Sequence, residues 1–318
     1  MLDSFRCPMS DYWHEQTYDF KFQVSDVILL RKNLKILAHA CTLDEVLSGR
    51  AATPPEDLPR EYDGVMIRSC PGTARDHGLE RSGGYLAYTM AAYQHCYIDL
   101  AGSFNDYQAK FSAKSRSTVT RKIKKFAAHC NGGMRFQCFS KPAEMRAFYE
   151  SARQVSVLTY QERLLDVGLP ATEEFVDSMV EAAQHGRVRA YLLFDGAKPV
   201  AYLYCPVTEN TLVYAFLGFD PTYRDWSVGT ILLWLSLESI FSEKLFAHLD
   251  FTEGSSSQKV LFSTHQVPCH NRLLLRDSLA NRALVRTHRR FDQASRALGR
   301  MTDRVGLKPA IKRLLRGT

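Results

Sequence analysis

Between Met134 and Phe251 the apolar positions change their spacing in a regular order, and that order predicts a run of elements. Met134 to Phe139 alternates apolar and polar residues, as a half-buried strand does. Pro142 to Val157 repeats apolar residues at helical spacing behind a proline suited to a first turn, and Glu173 to His185 forms a second helix closed by Gly186. Three strands follow, Val188 to Phe194, Pro199 to Val207 and Thr211 to Phe219. They are joined by Asp195-Gly196-Ala197-Lys198 and Thr208-Glu209-Asn210, residues that tight hairpins favour. Thr230 to Lys244 reads as a long apolar helix and Ala247 to Phe251 as a short strand.

Upstream the pattern is less regular. Val27 to Leu30 and Leu34 to Leu37 read as two strands, and Thr42-x-x-Glu45 is a capping signal opening a short helix. The proline-rich stretch 51–64 suits a loop, Gly64 to Ser69, Tyr85 to Tyr93 and His95 to Leu100 suit strands, and the glycine-rich stretch 72–84 connects them. Phe104 to His129 places Tyr107, Phe111, Val119, Ile123 and Phe126 on one helical face. After Pro268 the pattern turns helical: Leu284, Phe291, Ala294, Leu298, Met301 and Val305 form a seam that Gly306 and Pro309 interrupt, before Ile311, Leu314 and Leu315.

Charge changes this picture at two places. Seven basic residues (Lys110, Lys114, Arg116, Arg121, Lys122, Lys124, Lys125) follow Asp106 without an acidic partner, giving the helix 104–129 a strongly basic outer face. From Arg276 onward twelve Lys and Arg stand against Asp277, Asp292 and Asp303; the formal charge of +7 therefore belongs to the tail. For that tail the pattern allows two readings, a helix docked on the domain before it or one attached to an anionic membrane surface. The 318 residues, 45% hydrophobic, suffice for two domains with real cores. No apolar run approaches the roughly 20 residues of a spanning helix. The segment up to Gln16 lacks the apolar core of a secretory signal, so the expectation is a cytoplasmic protein, peripheral at the inner membrane surface if the tail binds there.

Eight cysteines are scattered without a C-x-x-C pair, and His265, Cys269 and His270 lack a second ligand pair, so no metal is expected. G-x-S-x-G, G-x-x-x-x-G-K-[ST], H-E-x-x-H and G-x-G-x-x-G are all absent, which leaves hydrolase, P-loop, zincin and Rossmann readings without their central residues.

The bend Tyr223-Arg224-Asp225-Trp226-Ser227-Val228-Gly229, directly ahead of Thr230 and the long helix, is the place where a ligand is expected. Small residues at 227 and 229 allow close approach, and a helix head offers unpaired N–H groups and the positive end of its dipole, a ready site for a pyrophosphate. The candidates there are Arg224, Ser227, Val228, Gly229 and Thr230.

This segment resembles the cofactor signature of the GNAT acyltransferases, Arg/Gln-x-x-Gly-x-Gly/Ala at the start of a long helix, with Ser227 in place of the first glycine. It is similar in particular to the cellulose-biosynthesis-type, polysaccharide-associated branch, related to the Fem aminoacyltransferases. That branch has Ser-Pro-Gly before the helix and Asp-Phe-Gly-x-Gly with a following Tyr-Lys after the next strand. Here stand Ser227-Val228-Gly229, then Asp250-Phe251-Thr252-Glu253-Gly254, then Gln258-Lys259, and the basic stretch 114–125 resembles the basic helix preceding the catalytic domain there.

The resemblance implies an α/β (α+β) GNAT fold with a mixed, mostly antiparallel sheet, two tandem GNAT-like halves and a C-terminal basic helix. It divides the chain into 1–105, a degenerate half; 106–132, a basic linking helix; 133–275, the catalytic domain; and 276–318, a basic tail. It implies acetyl-CoA or another acyl-CoA as co-substrate, pantetheine pairing with the main chain at Leu217, Gly218 and Phe219, and Glu253 or Asp250 as general base. Asp250 has an equal alternative as the residue that fixes its own loop. Tyr160, Glu162 and Lys259 are implied on the acceptor side, with a sugar, glycan precursor or small metabolite as acceptor. Two other functions stay open: a Fem-like aminoacyltransferase using charged tRNA through the basic helix, and a non-catalytic component of polysaccharide assembly.

Overall fold

The elements expected after residue 133 form the frame of one of two compact units in the computed structural model, which describes residues 13–24, 27–55, 57–75, 78–159 and 168–305. One unit combines Met1–Tyr93 with Val267–Thr318; the other is Gln94–Gln266. Along the chain the elements are β1 (His14–Val24), β2 (Val27–Ala40), α1 (Leu43–Leu47), β3 (Gly64–Pro71), β4 (Leu79–Ser82) and β5 (Tyr85–Asp99). Then come α2 (Phe104–Ala109), α3 (Ala113–His129), β6 (Met134–Phe139), α4 (Pro142–Ser156), α5 (Glu173–Gln184), β7 (Val188–Asp195), β8 (Lys198–Thr208), β9 (Thr211–Val213) and β10 (Phe216–Phe219). A 3-10 turn (Pro221–Trp226) leads to α6 (Val228–Glu243), followed by β11 (His248–Asp250), α7 (Ser257–Phe262), β12 (His265–Arg276) and α8 (Leu279–Val305).

In Gln94–Gln266 the sheet runs β11-β9-β8-β7-β6, with the last residues of β5 antiparallel to β11 and β10 beside β8. All these pairs are antiparallel except β11 with β9. β7 and β8 are apolar on both faces because both faces are covered. Tyr191, Leu193, Ala201 and Leu203 face a core built with α2, α3 and α6, while Ala190, Leu192, Tyr202 and Tyr204 face a second core with α4 and α5. Arg189 on β7 pairs with Glu243 at the end of α6, at 2.6 Å from its terminal nitrogen.

The single helix expected over 104–129 is two. Ser103 caps α2 in a capping box, and Ser112, accepting from the Ser115 N–H at 3.1 Å, restarts the chain as α3. Its apolar face is the expected one: Tyr107, Phe111 and Phe126 are buried, and Val119 and Ile123 pack against the same core.

In the other unit, Val27–Leu30 and Leu34–Leu37 belong to one strand, β2, antiparallel to β1 and parallel to β3. Residues 85–93 and 95–99 likewise form one strand. The helical expectation after Pro268 is corrected: Val267 to Arg276 continue β12, antiparallel to β3, and the helix begins only at Leu279. That helix, α8, docks within its own unit. Val285 is fully buried among Phe20, Leu34, Ile36, Tyr88 and Leu273. His288 bonds the Tyr88 hydroxyl at 2.8 Å and the Lys21 carbonyl at 3.1 Å. Gly306, Pro309, Ile311, Leu314 and Leu315 lie outside the described residues. Among the described residues, no helix is long and apolar enough to cross a membrane.

Candidate active site

The expected strand 211–219 is two strands with a fault between them, and the fault builds the site. β9 pairs with β8 as Val207↔Leu212, whereas β10 pairs as Tyr204↔Phe216, a register later by one residue. The extra residue is a bulge at Tyr214 and Ala215, where the Ala215 N–H bonds the Tyr204 carbonyl at 3.2 Å. β9 also pairs with β11 on its other side, and the last bond of that ladder runs from the Tyr214 N–H to the Asp250 carbonyl at 2.8 Å. Beyond it β10 stays on β8 alone among the described strands, so the sheet opens between β10 and β11.

The main-chain groups on that open edge follow from the register. The Asp220 N–H bonds the Val200 carbonyl at 2.9 Å, so by antiparallel alternation Gly218 pairs with Tyr202 while Leu217 and Phe219 present their N–H and C=O groups to the opening. Gly218 serves a different need from close ligand approach. A Cβ there would sit 2.4 Å from Cε1 of Tyr202, whose ring crosses the strand and whose hydroxyl reaches Ser156 Oγ at 3.2 Å.

The bend after β10 is fixed from three sides. Buried Asp220 accepts from the Thr222 N–H at 2.9 Å and from the Lys198 ammonium at 2.7 Å; burial raises its pKa, but the bonds to Lys198 and Thr222 outweigh this and hold the carboxyl below its ordinary value. Tyr223 donates to Asp195 at 2.9 Å, and the Trp226 ring stacks on His129 of α3 with centroids 4.1 Å apart. Ser227, the residue in place of glycine, has φ +57°, in the left-handed region where a side chain is strained.

Of the four amides in the bend, two are committed: Ser227 N–H bonds the Arg224 carbonyl at 3.0 Å and Thr230 N–H the Ser227 carbonyl at 2.9 Å. The amides of Val228 and Gly229 have no acceptor among the described residues and head the 16-residue α6. A Cβ on Gly229 would meet the Phe219 and Leu217 side chains at 3.4 and 3.6 Å, so the helix head and the open strand edge are in contact. Arg224 is exposed beside them.

On the other lip of the opening, Asp250 Oδ1 accepts from Thr252 N–H at 2.7 Å and lies 2.6 Å from His95 Nε2. Thr252 has φ +61°, a conformation costly for a β-branched residue. Asp250 is 5% exposed and His95 1%, so the pair is a buried brace for the loop that carries Glu253. This geometry favours the loop-fixing alternative for Asp250 over a base in contact with substrate. Glu253 itself is exposed, and Lys259 from α7 donates to its carbonyl at 2.6 Å. Burial lowers the Lys259 pKa, against the opposing charges of Asp250, Cys96 and Glu253. Tyr160 and Glu162 lie outside the described residues. His95 was missed as a site residue; it stands 155 positions from its partner, and no local pattern marks it.

Elsewhere, His39, Cys41 and Glu45 bring possible ligand atoms within 4.8 Å of one another. Glu45 Oε2 is already committed there, accepting from Thr42 N–H at 2.7 Å in the capping box of α1. His265, Cys269 and His270 do not converge: His265 stacks on Tyr97, His270 meets the Gly72 carbonyl, and Cys269 is buried.

The described sheet of Gln94–Gln266 is mixed and mostly antiparallel, covered on both faces, and opens beside a helix head. Residues 113–259 match the family described as Acetyltransferase (GNAT) domain, which makes the chain an enzyme of acyl transfer. No curated protein matches the sequence. Among solved structures, the chain is similar to L-PGS from Bacillus licheniformis, at 14% identity over 72% of each chain with a TM-score of 0.44. It is also similar to FemX, at 8% identity over 81% of this chain and 88% of the other with a TM-score of 0.45. A third similarity is to the C-terminal domain (DUF2156) of an Agrobacterium fabrum protein named for lysylphosphatidylglycerol synthetase, at 13% identity over 71% of each chain with a TM-score of 0.46.

Proposed function

We propose that residues 94–266 transfer an acyl group, acetyl in the simplest case, from an acyl-CoA to an amine or hydroxyl of a sugar, glycan precursor or small metabolite. The observation that carries this reading is the opening of β10 from β11 beside the two uncommitted amides of Val228 and Gly229. The donor set fits a coenzyme A: an extended main-chain edge for the amides of its arm, and a helix head with exposed Arg224 for its diphosphate. Leu217 and Phe219 hold the arm, Val228, Gly229, Thr230 and Arg224 the diphosphate, and Ser227 shapes the bend. When bound, the co-substrate supplies the thioester carbonyl.

Glu253 takes the proton that the acceptor nitrogen or oxygen loses as it bonds to the acyl carbon; as the carbon–sulfur bond breaks, that proton passes to the sulfur, which leaves as a thiol. Asp250 and His95 are positioning residues, holding the strained loop that presents Glu253. Lys259, its charged form disfavoured by burial, serves the acceptor side. Titration calorimetry of the full chain with acetyl-CoA tests the reading: heat of binding is expected, and its absence from folded protein overturns it.

A second reading has its own support. Between Asp106 and Glu144 the chain carries no carboxylate, and the basic face of α3 suits RNA phosphates, as an aminoacyl-tRNA donor requires. It predicts tRNA binding that weakens steeply with salt. A polysaccharide-assembly role and attachment of the arginine face of α8 to an anionic inner-membrane surface complete the proposal. Pelleting with anionic vesicles, abolished on replacing Arg286, Arg289 and Arg290 by Gln, is the expected result for the latter.

A further inference from the structure

The end of β2 gathers three side chains of different chemistry. His39 and Cys41 stand two residues apart and share one side of the chain as it leaves the strand, and Glu45 of α1 reaches back to them. One ligand atom from each lies within 4.8 Å of the other two, and His39 and Cys41 are buried. His39 Nε2 is 3.3 Å from Glu45 Oε2. Two ligands about 2.0–2.1 Å from one tetrahedral ion are separated by nearly that distance. The bond from Thr42 N–H does not remove Glu45 from such a set, because a carboxylate offers about four lone-pair sites and ligating carboxylates are themselves held by outer hydrogen bonds.

A fourth ligand reaches the same place through a fault in β3. Val65 and Ile67 face this core and Met66 the opposite one, so strict alternation would send Cys70 to the side of Met66. Instead Arg68 and Ser69 together stand opposite Asn271 of β12, and Ser69 takes φ +55°. This bulge turns Cys70 to the side of Cys41. Hydrogen bonds hold it there: Ser69 N–H donates to Asn271 Oδ1 at 3.0 Å, the Tyr93 hydroxyl donates to the same oxygen at 3.1 Å, and the Ser69 and Tyr93 hydroxyls lie 2.8 Å apart. Cys70 shares a hydrogen bond with Cys41; that bond, against burial and joined by one from His39, holds the Cys41 thiol well below its ordinary value.

Two sulfurs, an imidazole and a carboxylate around one centre make a tetrahedral donor set of borderline softness. We propose that His39, Cys41, Glu45 and Cys70 form a structural site for a zinc ion, which ties the end of β2 to α1 and to the bulged end of β3. Sulfur and nitrogen donors select against magnesium and calcium, and four protein ligands leave no open position for a substrate. On binding, the two thiols release their protons to water. None of these residues belongs to a C-x-x-C pair, so the sequence pattern does not show the set. All of them lie in the unit of Met1–Tyr93 and Val267–Thr318, and the inference is independent of the acyl-transfer reading.

The test uses the untagged full chain, reduced, stripped with a chelator and returned to zinc sulfate or cobalt chloride. Elemental analysis after gel filtration is expected to find about one zinc per chain, and cobalt to give the sulfur-to-metal charge-transfer band of a tetrahedral thiolate site. Competition with a chromophoric chelator reads the affinity. Cys41→Ser and His39→Gln are expected to weaken zinc binding by more than the roughly 10–100-fold of an outer-shell change, and Cys70→Ser to reduce the cobalt band to about half. Glu45→Gln retains the capping box of α1, so the fold is kept while an anionic ligand is lost; binding at least about ten-fold weaker is expected. Cys138→Ser, in the other unit, is the control and should keep native affinity. Absence of zinc from the folded native chain overturns the site, as does native affinity in Glu45→Gln or an equal loss in Cys138→Ser. A Cys41–Cys70 disulfide that forms on mild oxidation at the same rate with and without zinc overturns it too.

Discussion

The helices α3 and α8 look alike in sequence, each a basic amphipathic segment, yet the structure uses them differently. α3 buries Phe126 completely in the core of the transferase unit and stacks His129 on Trp226, so its apolar face supports the bend at the head of α6. Its basic side borders a groove without carboxylates. α8 buries Val285 and bonds His288 to Tyr88 and Lys21, completing the core of its own unit. Its first turn is tethered by Arg282 to Asp277, and Arg286, Arg289 and Arg290 are exposed beyond it. A basic amphipathic pattern therefore identifies a docked helix; what the free face meets decides whether the charge has a ligand.

The largest effect separating the two should come from their apolar anchors. Phe126→Ala is expected to cost about 3–5 kcal/mol, against under about 2 kcal/mol for the half-buried Phe291→Ala, both read by denaturant unfolding of the full chain. Equal losses would mean that α3 is no more integral to its core than α8. Next in size, His288→Ala leaves the Tyr88 hydroxyl without its ring nitrogen and should destabilise by about 1–3 kcal/mol without changing acetyl-CoA affinity. A smaller loss, about 0.5–1.5 kcal/mol, is expected for His129→Ala, which removes the Trp226 stack; this change should also weaken acetyl-CoA binding, because the bend loses its support.

The smallest effects concern charge. Gln at Arg286, Arg289 and Arg290 should each shift stability by no more than about 0.5 kcal/mol. The carboxyl of Asp277 is held below its ordinary value first by its bonds to Arg282, against a smaller desolvation effect. Its contribution is thus present above the ordinary Asp range near pH ~4 and lost as pH falls through the lowered value. Amide exchange in the first turn of α8 should accelerate on acidification to about pH 2.5, while α3, with no carboxylate of its own, should respond less; the opposite order would contradict the tether.

Punctuation explains what was legible beforehand. Met134–Phe139 and the start of α4 at Pro142 were read to the residue, and the end of α5 before Gly186 to within one, because glycine and proline mark those ends. The two runs around Leu30 and Leu34 were separated only by Arg31, Lys32 and Asn33, polar residues that an exposed strand also accepts. Leu273 to Leu275 were read as helical because a short apolar run carries no period; pairing with β3 decided it. In the site, the small residues at 227 and 229 pointed to the bend. The His95 to Asp250 brace could not be read, since it exists only once β5 and β11 are neighbours.

One residue too many between Leu212 and Phe216 has a further consequence. Removing Ala215 would let the pairing of Val207 with Leu212 run without a break into that of Tyr204 with Phe216, so β10 would keep its register and lose the bulge that separates it from β9. Chain length at this spot therefore decides whether the last strand edge follows its neighbour or swings away from it.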